Sequence, residues 1–314
     1  MGEELLNSLR RLVTEQANPA TADLDSLDAL GIVQRLNAED AQVAAAVAAA
    51  LPAVAQVAEM AAASFAAGGR LFYVGAGTSG RLGVLDAAEC PPTFGSAPWQ
   101  VVGIIAGGDA SLRRSTEGVE DDAAAGGADL AALDPGPADT VVGISASHRT
   151  PYTVAAVEEA IRRGCRTAFI TANPAVAVPG ELVIRLLVGP EALAGSTRLK
   201  AGSAQKLVLN MISTAAWVLA GKVYGNRMVD LQATSAKLIE RSRGLLMELA
   251  GLDYATATAL LEAAGGSVKT ALMMQLGGCP RAEAEARLAA AAGQLRRALA
   301  AAPPAAEAPP PPRS

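Results

Sequence analysis

Between about residue 70 and residue 190, short aliphatic and β-branched runs alternate with longer stretches of mixed polarity. Leu71 to Val74, Gln100 to Ile105, Thr140 to Ile144, Thr167 to Ile170 and Leu182 to Val188 are too short for helices and are bounded by turn residues, so they predict strands. Arg81 to Ala88, Pro151 to Arg163 and Gln205 to Leu219 carry the longer helical pattern. Buried strands alternating with helices predict an α/β fold: a doubly wound, mainly parallel sheet covered on both faces.

The flanks read differently. An Ala-rich helix ends at Gly68-Gly69 just ahead of the first strand, and the first fifty residues carry helical segments separated by Asn18, Pro19 and the acidic Asp23 to Asp28 stretch. After Gly221 strands are expected to cease, with helical segments such as Ala257 to Ala264 and Arg281 to Leu299 forming a small domain. The end, with Pro303, Pro304 and Pro309 to Pro312, is too proline-rich to fold. The expected organisation is a helical arm over 1–52, the sheet domain over 53–222, a helical C-terminal domain over 223–300 and a disordered tail over 301–314.

Composition narrows the function. Hydrophobic residues make up 51% of the chain but aromatics only 3%, so the apolar content reflects Ala-rich helices rather than membrane spans. The longest apolar stretch, from Val43 through Ala62, is interrupted by Pro52, Gln56 and Glu59, and no signal-peptide pattern opens the chain. No membrane partner and a cytoplasmic location are therefore expected. A net charge of -5 with no basic block argues against nucleic acid and for a small-molecule partner. Cys90, Cys165 and Cys279 form no Cys-x-x-Cys pair, and His148 is the single histidine, so neither a disulfide framework nor a metal site is expected. Chemistry falls to carboxylates, hydroxyls, Lys and Arg.

Two loops carry that chemistry. Gly75-Ala-Gly-Thr-Ser-Gly80 follows a strand and precedes a helix, the setting of a dinucleotide fingerprint, but Asp109 stands too far on for the ribose acid. The alternative is a phosphate monoester at the helix N-terminus, met by the hydroxyls of Thr78 and Ser79; a tight turn with no ligand is the plain reading. Ser145-Ala-Ser-His-Arg-Thr150 ends another strand before another helix, offering Ser145, Ser147 and Thr150, although Ser147 or Thr150 would serve equally as a helix cap. Ligands of open α/β sheets sit at the carboxyl ends of strands, so both loops point at one crevice.

With these residues in view, the chain resembles the sugar isomerase (SIS) fold and, within it, the N-acetylmuramic acid 6-phosphate etherases. The resemblance runs through Thr14 to Thr21, Tyr73 through Gly95, Ile105 to Asp109, Arg149 to Tyr152, Gly195 through Asn210 and Gly225 through Lys237. It implies a cofactor-free enzyme that cleaves the D-lactyl ether of its phosphosugar in cell-wall amino sugar recycling, and a homodimer with sites at or near the interface. Two glutamates carry the family's chemistry, and their motif positions here are Glu89 and Glu120.

The reaction accounts for the pair. Lactate leaves from carbon 3, β to the open-chain aldehyde, once the acidic proton at carbon 2 is removed, and water then adds to the unsaturated aldehyde. Glu89 is assigned as the acid that protonates the leaving oxygen and Glu120 as the base at carbon 2. An acid at neutral pH is helped by desolvation, which the apolar helix before Glu89 and Cys90-Pro-Pro after it are expected to supply; Asp121 and Asp122 crowd Glu120 with like charge. Ser196, Thr197, Arg198, Lys200 and Ser203 form a donor-rich segment expected to grip sugar hydroxyls or a carboxylate, with helix capping by Ser203 as the plain alternative. Two features depart from the family pattern, His148 and the proline tail. The rival functions are a non-catalytic phosphosugar sensor and an aldose-ketose isomerase.

Overall fold

The molecule is described by a computed structural model over residues 12–147, 150–174, 177–230 and 236–301. His148, Arg149 and the proline tail lie outside the described residues. After three single 3-10 turns at Val13–Glu15, Pro19–Thr21 and Leu24–Ser26, helices α1 (Ala29–Asp40) and α2 (Val43–Ala66) lead to the sheet. By length and composition Ala29–Ala66 passes for a membrane span. The folded chain uses α2 otherwise: Val43, Val47, Ala50, Val54, Val57 and Ala61 recur every three or four residues and bury one stripe against the sheet. The helix runs without interruption through residue 52, where the sequence suggested a boundary.

Strands β1 (Leu71–Gly75), β2 (Val101–Ile105), β3 (Thr140–Ile144), β4 (Arg166–Thr171) and β5 (Leu182–Arg185) form a parallel sheet in the order β2-β1-β3-β4-β5. Residues of β1 and β3 are fully buried, as strands covered on both faces must be. The chain moves from β1 to β2 on one side and returns to β3 on the other, so the switch point of the topology lies between β1 and β3.

Helices α3 (Gly77–Phe94), α4 (Ala110–Arg113), α5 (Ala123–Ala131), α6 (Pro151–Arg162) and α7 (Lys200–Leu219) complete the α/β part. Both α3 and α7 begin earlier than their sequence pattern suggests. Glycines and serines blur the first turn of each, and the N-terminus of α7 is capped from afar: the Glu191 carboxylate accepts the backbone N–H groups of Lys200 and Ala201, each at 2.9 Å.

The described residues divide into two compact units, one holding the chain through Cys90 together with Ala97–Ala216, the other Pro91–Ser96 and the residues from Trp217 on. In the second, α8 (Ala236–Ala250), α9 (Tyr254–Ala263), α10 (Val268–Gly277), α11 (Arg281–Ala290) and α12 (Leu295–Ala300) enclose a core around Leu246, Leu272 and Met273. Two expectations fail here. Strands do not cease after Gly221: Val223–Tyr224 and Arg227–Met228 (β6 and β7) pair as a two-residue-loop hairpin with Gly225 at φ 60°, too short to leave a periodic signal. Nor is Arg281 to Leu299 one helix, because Ala292 and Gly293 turn left-handed, at φ 52° and 76°.

Candidate active site

The first hydroxyl loop is built by close approach. A Cβ on Gly80 would stand 2.6 Å from the Gly75 carbonyl oxygen and 2.7 Å from Ile105, so only hydrogen fits where α3 leaves β1. That approach presents the first turn of α3 at the switch point. Ser79 Oγ donates to Gln205 Oε1 on α7 at 3.0 Å, and Thr78 lines a groove on the α7 side.

The second loop is pinned at one atom. The carbonyl of Ala146 accepts from Ala172 N at 3.0 Å, Asn173 Nδ2 at 2.9 Å and Thr171 Oγ1 at 3.3 Å, while Ser145 Oγ and Thr150 Oγ1 share a hydrogen bond of 2.9 Å. Ser145 and Thr150 are buried beneath the loop, and Ser147 is half-buried at its tip. Since β1 and β3 are neighbours, the two loops leave adjacent strand ends, as the sequence suggested.

Beside the first loop lies a cavity of about 200 Å³ lined by Gly77, Arg81, Ser111, Thr116 and Glu120 among others. Glu120 reaches it from a 3-10 turn, Val119–Asp121, that starts after Gly118 at φ 77°. Arg81, on the second turn of α3, fixes the approach: its guanidinium donates to the carbonyls of Ser111 at 2.7 Å, Leu112 at 3.1 Å and Arg114 at 3.3 Å. Neither Arg81 nor Gln205 stands out in the sequence as a site residue; the arginine that directly follows the glycine loop was the available signal.

Glu89 does not join this cavity. It sits eight residues beyond Arg81, the last α3 residue on the cavity wall, roughly 12 Å along the helix. Nor does its surround desolvate it within one chain: Gly83, Asp86, Ala87 and Cys90 form the buried stripe of α3, and Glu89 faces out with Leu85 and Ala88. The expected burial is therefore corrected by helical phase. The buried carboxylate on α3 is Asp86, which accepts from Asn210 Nδ2 at 2.7 Å and Ser213 Oγ at 3.1 Å. Burial raises its pKa despite these donors, and burial followed by the Asp86 charge drives the enclosed Tyr73 phenol well above its ordinary value.

The donor-rich segment divides. Lys200 is buried with its ammonium paired to Glu39 and lines neither the cavity nor the groove, contrary to the expected ligand role. Burial works to raise the Glu39 pKa, but hydrogen bonds from Lys200, Asn18 and Gln42 outweigh it and hold the carboxyl low. Asn18 also donates to the Pro190 carbonyl, and Thr21 Oγ1 to that of Ala192, so the Thr14 to Thr21 segment is tied to the loop that precedes α7. Ser196 and Thr197 are half-buried and line neither the cavity nor the groove. Arg198 and Ser203 do line the groove.

With this geometry the chain can be set beside known proteins. An N-acetylmuramic acid 6-phosphate etherase of Erwinia tasmaniensis is 52% identical over 267 residues, 84% of this chain and 87% of that protein. The chain belongs to the N-acetylmuramic acid 6-phosphate etherase family. Another member, from Symbiobacterium thermophilum, is 49% identical over 267 residues, with 84% and 89% covered. The family model for the glucokinase regulatory protein N-terminal SIS domain matches residues 53–161, the stretch from within α2 into α6 that carries β1, β2 and β3. A phosphoheptose isomerase from Francisella tularensis overlays at a TM-score of 0.49 with 18% identity, covering 60% of this chain and 98% of that one.

Proposed function

We propose that this etherase family member cleaves the D-lactyl ether of N-acetylmuramic acid 6-phosphate, giving N-acetylglucosamine 6-phosphate and D-lactate in cell-wall amino sugar recycling in the cytoplasm. The observation that carries the reading is the meeting of two hydroxyl-bearing loops at the β1/β3 switch point with Glu120 on the adjoining cavity. Phosphate takes hydrogen bonds from Thr78, Ser79 and the Ser145 to Thr150 loop, aided by the N-terminus of α3. Glu120 then removes the carbon 2 proton; the electron pair forms the carbon 2–carbon 3 double bond as the carbon 3–oxygen bond breaks. Glu89 gives its proton to the departing lactate oxygen. Water adds at carbon 3, surrendering a proton to the now anionic Glu89, while Glu120 returns a proton to carbon 2.

A second copy of the chain completes this scheme. Within one chain Glu89 stands about two helical turns, roughly 12 Å, beyond Arg81, the last α3 residue on the wall of the Glu120 cavity, farther than the phosphate-to-ether length of a hexose phosphate, and Leu85 beside it is 50% exposed. A homodimer packed over this face of α3 covers Leu85 and brings Glu89 to the other copy's sugar.

Incubation with the muramic acid phosphate is expected to release D-lactate and N-acetylglucosamine 6-phosphate in equal amounts. Glu89→Gln and Glu120→Gln each lower kcat by about 10²- to 10⁴-fold with product binding retained. Binding without lactate would favour a sensor, and a ketose phosphate product an isomerase. Full turnover by either variant removes that residue from the chemistry.

A further inference from the structure

On the α7 side of Thr78 lies a groove of about 510 Å³. Arg198 and Lys206 provide its positive charge, Thr78 and Ser203 its hydroxyls, and Val43 and Leu82 part of its apolar wall; Asp40 lines it as well. Among the described residues neither Arg198 nor Lys206 forms an ion pair, whereas other basic residues of this unit, such as Arg70, Arg163 and Lys200, are matched to Asp139, Glu159 and Glu39. Two cations against one carboxylate leave the groove lining net positive, although the Lys206 charge also acts on the buried Asp86.

That charge is not taken up by the helix terminus. Glu191 already holds the first N–H groups of α7, so an anion entering here meets the two side chains rather than backbone donors. The groove is also continuous with the first loop. A Cβ on Gly202 would lie 3.4 Å from Thr78 Cγ2, so the floor between α7 and the loop is kept open by a glycine. Leu82 follows Thr78 by one turn, so one side of α3 forms this wall of the groove.

We propose that this groove receives the lactyl arm of the substrate, with Arg198 and Lys206 binding its carboxylate and Val43 and Leu82 flanking its methyl group. The inference rests on the etherase reading and adds a specificity site to it. A phosphosugar lacking the arm carries no carboxylate, so the two cations select the ether-bearing sugar over its cleaved product. Once the ether breaks, lactate loses its tether to the phosphate-anchored sugar and departs from a shallow, solvent-facing groove.

The test compares two ligands on the full-length protein. Arg198→Gln and Lys206→Gln are each expected to raise KM for N-acetylmuramic acid 6-phosphate about tenfold, while the calorimetric Kd for N-acetylglucosamine 6-phosphate stays unchanged. Arg198→Lys and Lys206→Arg keep most of the substrate affinity, which a loss of folding would not allow. Equal weakening of both ligands overturns the proposal by assigning the cations to phosphate, and unchanged KM in both Gln variants overturns it by leaving the groove unused. A wild type that releases no lactate refutes the etherase reading itself, a result visible before any variant is made.

Discussion

Ser79 Oγ donates to Gln205 Oε1 across 3.0 Å, tying the glycine loop at the end of β1 to the first turns of α7. Gln205 is 1% exposed, and among the described residues its Nε2 has no hydrogen-bond partner. A buried amide with an idle donor costs stability unless something outside the chain answers it. Its neighbour is the hydroxyl proposed to hold phosphate; when phosphate takes the single Ser79 proton, the turned amide can donate its Nε2 to Ser79 Oγ instead and hold it towards that ligand.

Gln205→Leu is accordingly expected to leave the melting temperature unchanged or slightly higher, since it removes a buried unsatisfied donor. Affinity for N-acetylglucosamine 6-phosphate should fall about fivefold, read by calorimetry. A drop in stability with unchanged affinity would assign Gln205 to the fold alone.

The buried pair of Lys200 and Glu39 ties the N-terminal helices to α7. Lys200→Met leaves Glu39 buried without its cation, and a loss of about 3 kcal/mol is expected, lowering Tm by roughly 6–12 °C. The effect has a pH signature. Because the Glu39 pKa is lowered in the folded protein, its contribution is fully present above the unfolded-state value and disappears as pH falls through the folded one. The stability gap between wild type and Lys200→Met should therefore be widest near neutrality and close in acid, which denaturant titration at several pH values would measure.

Gly80→Ala tests the loop itself. The added methyl group meets the Gly75 carbonyl and Ile105, and neither can retreat without moving β1 or β2. A cost of about 1–3 kcal/mol is expected, with phosphosugar binding lost beyond what the stability change explains. Normal affinity in a destabilised Gly80→Ala protein would separate the glycine from ligand recognition.

The strands were legible because each is a short apolar run, fully buried in β1 and β3 and partly so in β2 and β5 at the sheet edges. Their parallel pairing follows from the helices between them, and the hydroxyls of Thr78, Ser79, Ser145 and Thr150 from their position just after strands. Glu89 and Glu120 were named through likeness to a family, since an isolated glutamate carries no local signal of its role. The hairpin after Gly221 escaped notice because two-residue strands have no periodicity.

What the sequence determined alone, then, is the succession of elements and the chemistry offered at strand ends, both of which are local properties of short segments. Only the folded chain decided how charges were spent. It turned Lys200 inward to Glu39, set Gln205 against Ser79 from across the sequence, faced Glu89 outward by helical phase, and left Arg198 and Lys206 without ion pairs among the described residues. Those outcomes depend on which distant side chains arrive within a few ångströms, and electrostatic pairing at that range is fixed by packing rather than by order along the chain.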